Sequence, residues 1–104
     1  MLFLTYWELN ENMSEQARTQ IVQKLMSTGL YPPKGFKILR FDVTPDAWGI
    51  VVAEADSAAD VMLANDLWRM AGAGFFKCTK TAPAMPIEEA MQAAGPVLKA
   101  LSEG

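Results

Sequence analysis

Phe36-Lys37-Ile38-Leu39-Arg40-Phe41-Asp42-Val43, then Thr44-Pro45-Asp46-Ala47, then Trp48-Gly49-Ile50-Val51-Val52-Ala53-Glu54-Ala55 is the stretch whose reading decides the fold. Both outer runs are rich in β-branched and aromatic residues, and proline followed by aspartate suits the middle of a type I turn, so the three pieces predict a β-hairpin. A simple four-residue loop pairs Val43 with Trp48, and hence Phe41 with Ile50, Leu39 with Val52 and Lys37 with Glu54, all on one face. The other face then carries Asp42 with Gly49, Arg40 with Val51, Ile38 with Ala53 and Phe36 with Ala55. The first set is nearly all large and apolar and is expected under helices. The second is mixed, yet Phe36, Ile38, Val51 and Ala53 leave too much apolar surface for water, and together with Arg40 they are the expected interface with the same face of a second copy. A bulge in the turn would exchange the two sets.

Before the hairpin, Leu2 to Glu8 reads as a short aromatic-rich strand, closed by the polar turn Asn10-Glu11-Asn12. Asn12 and Glu15 fit a capping box for a helix from Met13 to Thr28, which Gly29 stops and Pro32-Pro33 cannot continue. After the hairpin, Ser57 is placed to cap a helix from Ala58 to Met70, with Val61, Ala64, Leu67 and Trp68 on one face. Gly72-Ala73-Gly74 follows that helix and precedes a strand from Phe75 to Thr81, so it reads as a chain reversal; a phosphate loop would precede its helix. Pro86-Ile87-Glu88-Glu89 opens a last helix with Ile87, Met91, Ala94, Leu98 and Leu101 on one stripe, and Gly95-Pro96 is expected to break it into two pieces, the second reaching across a partner subunit.

The order β-α-β-β-α-β plus a C-terminal helix is the ferredoxin-like, split βαβ arrangement of the α+β class. Crossover handedness places the first strand between the third and fourth in one antiparallel sheet with both helices on one face. The predicted organisation is a domain over residues 1–83 with a C-terminal helical extension over 84–104.

The 104 residues suit one core, and a hydrophobic share of 51% against 20% charged leaves ample apolar surface to offset the conformational entropy of folding. With nine basic residues dispersed along a chain of net charge −3, no cluster is available to neutralise phosphates, and neither nucleic acid nor membrane is an expected partner. Met1 to Trp7 is apolar but lacks a basic flank and a cleavage site and is too short to cross a bilayer; with a single cysteine, Cys78, a cytoplasmic location is expected. Histidine is absent, which removes the commonest metal ligand and the Ser-His-Asp relay, and neither metal nor cofactor is expected.

The opening Met1-Leu2-Phe3-Leu4-Thr5-Tyr6-Trp7-Glu8, the Pro33-Lys34-Gly35-Phe36 lead into a strand, the Val52-Ala53-Glu54-Ala55-Asp56 strand end and the Leu67-Trp68 helix end resemble small proteins of the dimeric α+β barrel group. Within it, they resemble a family known as a domain of unknown function. The resemblance covers about residues 1 to 90. It implies a homodimer whose sheets pack face to face and, in the enzymatic branches, a pocket between each sheet and its own helices. Those branches include cofactor-independent monooxygenases, muconolactone isomerases and haem-handling proteins; the chain has no histidine to match the histidine-ligated haem branch.

Strand directions bring Glu8, Asp42, Trp48 and Lys77 toward one end of the sheet, near Tyr6, Arg40 and Trp68. An acid, a base, a phenol and indoles about one opening are candidates to bind and polarise a small aromatic or carbonyl compound, with Glu8 and Lys77 as its acid-base candidates; Glu54, on the helix-facing side at the opposite end, is a separate candidate for a partly buried acid. The plainer alternatives are a cross-strand Glu8–Lys77 pair, an Arg40–Asp42 pair serving the dimer and a Glu54–Lys37 pair; Cys78 reads as a packing residue. Two functions follow: a small-molecule binding protein or cofactor-free enzyme, or a structural or regulatory dimerisation module.

Overall fold

Two serines start the helices that lie over the sheet. Ser14 Oγ accepts the Ala17 amide at 3.1 Å and Ser57 Oγ accepts the Asp60 amide at 3.3 Å, each satisfying an amide that has no partner within its helix. The computed structural model describes residues 1–104. Its elements are β1 (Leu2–Leu9), α1 (Glu15–Ser27), β2 (Phe36–Val43), β3 (Trp48–Ala55), α2 (Ala58–Ala71), β4 (Phe76–Ala84) and α3 (Ile87–Glu103). The cap of α1 is therefore Ser14 rather than Asn12. Asn10 Oδ1 instead folds back onto the Asn12 amide at 3.0 Å, and this local turn delays the helix.

The four strands form one antiparallel sheet in the order β2-β3-β1-β4, with the fold of a ferredoxin-like α+β domain. The hairpin ends lie where the sequence puts them, but the faces of β3 and of the first half of β2 are inverted. Phe36, Lys37 and Ile38 pair with Ala55, Glu54 and Ala53 as expected, whereas beyond a bulge at Leu39 the partners of Arg40 to Val43 slip by one residue to Val52, Val51, Ile50 and Gly49. At the turn, Ala47 takes a left-handed backbone (φ 64°), its amide donates to the Thr44 carbonyl at 3.2 Å, and Thr44 donates to Trp48 at 2.8 Å. This is a type I turn followed by a left-handed residue, a three-residue loop in place of the simple one. The carbonyl of Ala47 receives the Leu9 amide at 2.9 Å, which ties the turn to the end of β1.

Gly49, Val51, Ala53 and Ala55 consequently face the helices and are buried, while Ile50 and Glu54 are exposed on the opposite side and Trp48 and Val52 are half-buried there. Phe36, Val51 and Ala53, expected at a partner interface, belong to the core, and Ile38 packs against it; of that set Arg40 alone remains on the open face. Size was the misleading guide. The bulk of the core comes from Phe3 and Trp7 on β1 and from Trp68 on α2, so β3 contributes small residues that admit them. A Cβ placed on Gly49 would meet Trp7 Cζ2 at 2.4 Å and the Asp42 carbonyl oxygen at 2.0 Å.

Helix α3 packs against no other element and buries none of its residues. It is one continuous helix through Pro96 rather than two pieces. Proline removes a single amide and crowds the carbonyl of Gln92, and a helix without packed neighbours is free to bend at that turn and keep the remaining ladder. No helix is long and apolar enough to cross a membrane.

Two substitutions in the hairpin are expected to act in opposite directions. Gly49→Ala, forced against backbone and indole, lowers unfolding free energy by about 2 kcal/mol or more, while Ala47→Gly, relieved of left-handed strain, raises it by about 1 kcal/mol. Urea denaturation of both variants measures this, and a neutral Gly49→Ala would contradict the close Trp7–Gly49 packing.

Candidate functional site

Alternation along β1 divides the functional candidates between two sides of the sheet. Phe3, Thr5 and Trp7 are buried toward the helices, and Leu2, Leu4, Tyr6 and Glu8 point the other way. In register, Tyr6 opposes Ile50, Glu8 opposes Trp48 and Cys78, and Asp42 opposes Ile50. Tyr6, Glu8, Arg40, Asp42 and Trp48 therefore share the open face, with the rings of Tyr6 and Trp48 5.8 Å apart. Lys77 and Trp68 lie on the helix side. The expected constellation gathers at one end of the sheet but is split by its thickness, so Glu8 and Lys77 form no pair.

On the open face Arg40 Nε donates to Asp42 Oδ2 at 2.9 Å, an exposed pair that raises the guanidinium pKa through the hydrogen bond and then the charge of Asp42. The Tyr6 phenol is raised by desolvation of its half-buried ring and then by the Glu8 carboxylate. Glu54 is exposed and sits across from Lys37 without a salt bridge, so it is neither a buried acid nor an ion-pair partner. Cys78 is half-buried on this face, outside the core. No group of three or more acids or cysteines is placed to hold a metal ion.

Between the sheet and α2 lies a cavity of about 230 Å³. Its sheet wall is Thr5 and Trp7 of β1, Phe41 of β2, Val51 of β3 and Phe76, Lys77 and Thr79 of β4; Asn65, Trp68 and Arg69 of α2 form the opposite wall, and Tyr31 and Phe75 close it. The aromatic rings brace one another: Trp7 stands edge-on to Phe41 at 5.8 Å and to Phe76 at 5.7 Å, and Trp68 lies 5.0 Å from Phe75 and 5.4 Å from Tyr31. Beside them, Thr5 Oγ1 and Thr81 Oγ1 share a hydrogen bond of 2.9 Å, and Asn65 Nδ2 donates to Thr81 Oγ1 at 3.2 Å.

The indole N–H of Trp7 is buried and no protein group accepts from it. Burial also raises the pKa of the Tyr31 phenol, keeping it neutral. Of the sequence candidates, Lys77 and Trp68 belong to this cavity. Trp7, Tyr31, Thr5, Asn65, Arg69 and Thr79 were not singled out, because the cavity exists only once β3 turns its small face inward. One signal was available: small residues at every second position of a strand, as at Gly49, Ala53 and Ala55, mark close approach of another element.

A ferredoxin-like α+β domain with an aromatic cavity between sheet and helices is the class that fold and site define. The chain belongs to the family described as Domain of unknown function (DUF3303), whose sequence profile matches residues 1–98. No curated relative matches it in sequence. Among solved structures, a Nitrosomonas europaea protein proposed to be an antibiotic biosynthesis monooxygenase is similar at 11% identity and a TM-score of 0.45, over 82% of this chain and 98% of that one.

The raised pKa of Tyr31 has a defined sign. Above about pH 10 the unfolded phenol loses its proton while the folded one retains it, so stability is fully present below that pH and falls as pH rises through the folded value. Tyr31→Phe is expected to flatten this alkaline decline in denaturant midpoint; an unaltered slope would contradict the desolvation of that phenol.

Proposed function

We propose that this protein binds a small, ring-containing, largely apolar molecule in the cavity between its sheet and helices. The observation that carries the reading is the aromatic-lined cavity of about 230 Å³ itself, in which Trp7, Phe41, Trp68 and Phe76 leave space beside them. Such a space exceeds the roughly 150 Å³ apolar cavity that holds benzene and falls below the range of about 300 Å³ upward typical of drug-sized ligands, which suits one substituted ring. No carboxylate lines the cavity, so its polar groups are arranged to bind and polarise rather than to remove a proton through an acid side chain.

We also propose that the protein acts as a homodimer, a reading favoured by the open face of the sheet. Leu4, Ile50, Val52 and Ala82 form an apolar strip there, with Lys37, Arg40, Asp42, Glu54 and Lys80 around it. An apolar centre with a charged border suits an isologous contact between two sheets. The stripe of α3, with Ile87, Met91, Leu98 and Leu101 all exposed, is a second surface that a partner subunit would cover. The alternative, a dimerisation module without a ligand, shares this surface and differs only at the cavity.

Two measurements test these readings. A single-ring compound held at a hundred times its Kd is expected to stabilise the protein by about 2.7 kcal/mol, a rise in Tm of more than about 10 °C, with a change in tryptophan fluorescence from Trp7 and Trp68. A broad panel of neutral and charged single-ring compounds without one such shift would leave the module reading in place. For the dimer, light scattering is expected to give twice the chain mass of 11.4 kDa, reduced to one chain by Ile50→Glu; a monomeric wild-type protein at micromolar concentration would overturn it.

A further inference from the structure

The two strands β1 and β4 lose register where the cavity opens. Glu8 pairs with Cys78 and Leu9 with Phe76, which leaves Lys77 as an extra residue without a partner across the ladder. Regular alternation would send Phe76 and Lys77 to opposite faces of the sheet. Both line the cavity, because Lys77 keeps the alternation that puts Thr79 on the helix side and the bulge turns Phe76 to that side as well. The bulge thus sets an aromatic ring and a cation next to one another on one wall.

The chemistry left open in the cavity is strongly one-sided. Its only charged lining residues are Lys77 and Arg69, in a chain whose net charge is −3. Lys77 makes no salt bridge; Arg69 is held by Asp66 at 3.3 Å through a single Nη1 contact between exposed side chains, leaving further guanidinium donors free. Thr79, which opposes Trp7 across the ladder and follows Lys77 by two positions, adds a hydroxyl on the same wall as the lysine. Asn65 has its amide nitrogen committed to Thr81 and keeps one carbonyl oxygen as the opposing acceptor.

We propose that the cavity selects a single-ring carboxylic acid in its ionised form, with the carboxylate received by Lys77 and Arg69 at the mouth and the ring held among Trp7, Trp68 and Phe76. The proposal rests on the small-molecule reading above and narrows it to a ligand class. The acceptor-only carboxylate matches a site whose vacant groups are mostly donors, and charge-assisted hydrogen bonds are about twice as strong as neutral ones. Lys77 lies at the exposed rim and meets the ligand as it enters.

Binding of benzoate, phenylacetate, benzamide and phenylacetamide to the full chain, followed by tryptophan fluorescence and calorimetry, tests this. Each carboxylate is expected to bind about tenfold or more tightly than its amide, with an advantage that shrinks as salt is raised. Lys77→Met is expected to weaken the carboxylates more than the amides and so remove most of that ratio. Amides that bind as well as or better than the acids, or a ratio unchanged in both Lys77→Met and Arg69→Gln, would overturn the carboxylate assignment and leave the small-molecule reading standing. Failure of all four probes to bind would overturn the assignment; the broad-panel Tm measurement then decides the parent reading separately.

Discussion

The contact of the Trp7 indole with the backbone of Gly49 is the constraint on which the remainder depends. β1 and β3 are neighbours in the centre of the sheet, and Trp7 and Gly49 are opposite one another in the ladder. An indole directed toward the helices at this point fixes which side of β1 is inward, and the shared ladder then fixes the inward side of β3 and β4. With Gly49, Val51, Ala53 and Ala55 inward, the layer beneath α2 is thin on β3 and thick on β1. The space that is left is framed by Trp7, Phe41, Phe76 and Trp68, which meet edge to face at ring separations of 5.5–5.8 Å. The cavity is the residue of that uneven packing.

Much of the architecture was legible because its signals are local. Ser57 marks α2, Pro45-Asp46 marks the hairpin, Gly72 and Gly74 mark the reversal before β4, and the order of these pieces dictates the topology. The faces of the hairpin were not legible, for a reason of arithmetic: a period of two means that one extra residue exchanges inside and outside, and neither the bulge at Leu39 nor the left-handed Ala47 carries a glycine or an Asn-Gly pair to announce it. Both faces of β3 are also apolar, Ile50 and Val52 on one side and Val51 and Ala53 on the other, so composition alone could not choose. The same ambiguity scattered the site. Tyr6, Glu8 and Trp48 are correctly near one another, yet on the open face, while Lys77 and Trp68 occupy the cavity with residues that drew no notice in the sequence.

Two irregularities thus divide the labour of the sheet. The bulge on β2 sets its faces, and the bulge on β4 opposite β1 turns Phe76 to the same wall as Lys77. Neither is required by the ferredoxin-like topology, which a regular ladder would satisfy. They are where this sequence departs from a generic version of its fold, and they are the features through which a generic scaffold acquires a particular pocket.

The same bulge on β2 has a second effect, at the rim of the sheet. β2 is an outer strand with Leu39, Phe41 and Val43 all exposed, and a long flat strand of that kind invites foreign strands to add to its free hydrogen-bonding groups. The kink at Leu39 and the charges of Lys37, Arg40 and Asp42 interrupt it, while the other outer strand, β4, carries Pro83, which has no amide to offer. Both borders are thereby closed to lateral growth. A sheet so guarded resists the strand-by-strand stacking that leads to fibrils, and its broad open surface is left as the face available for other contacts.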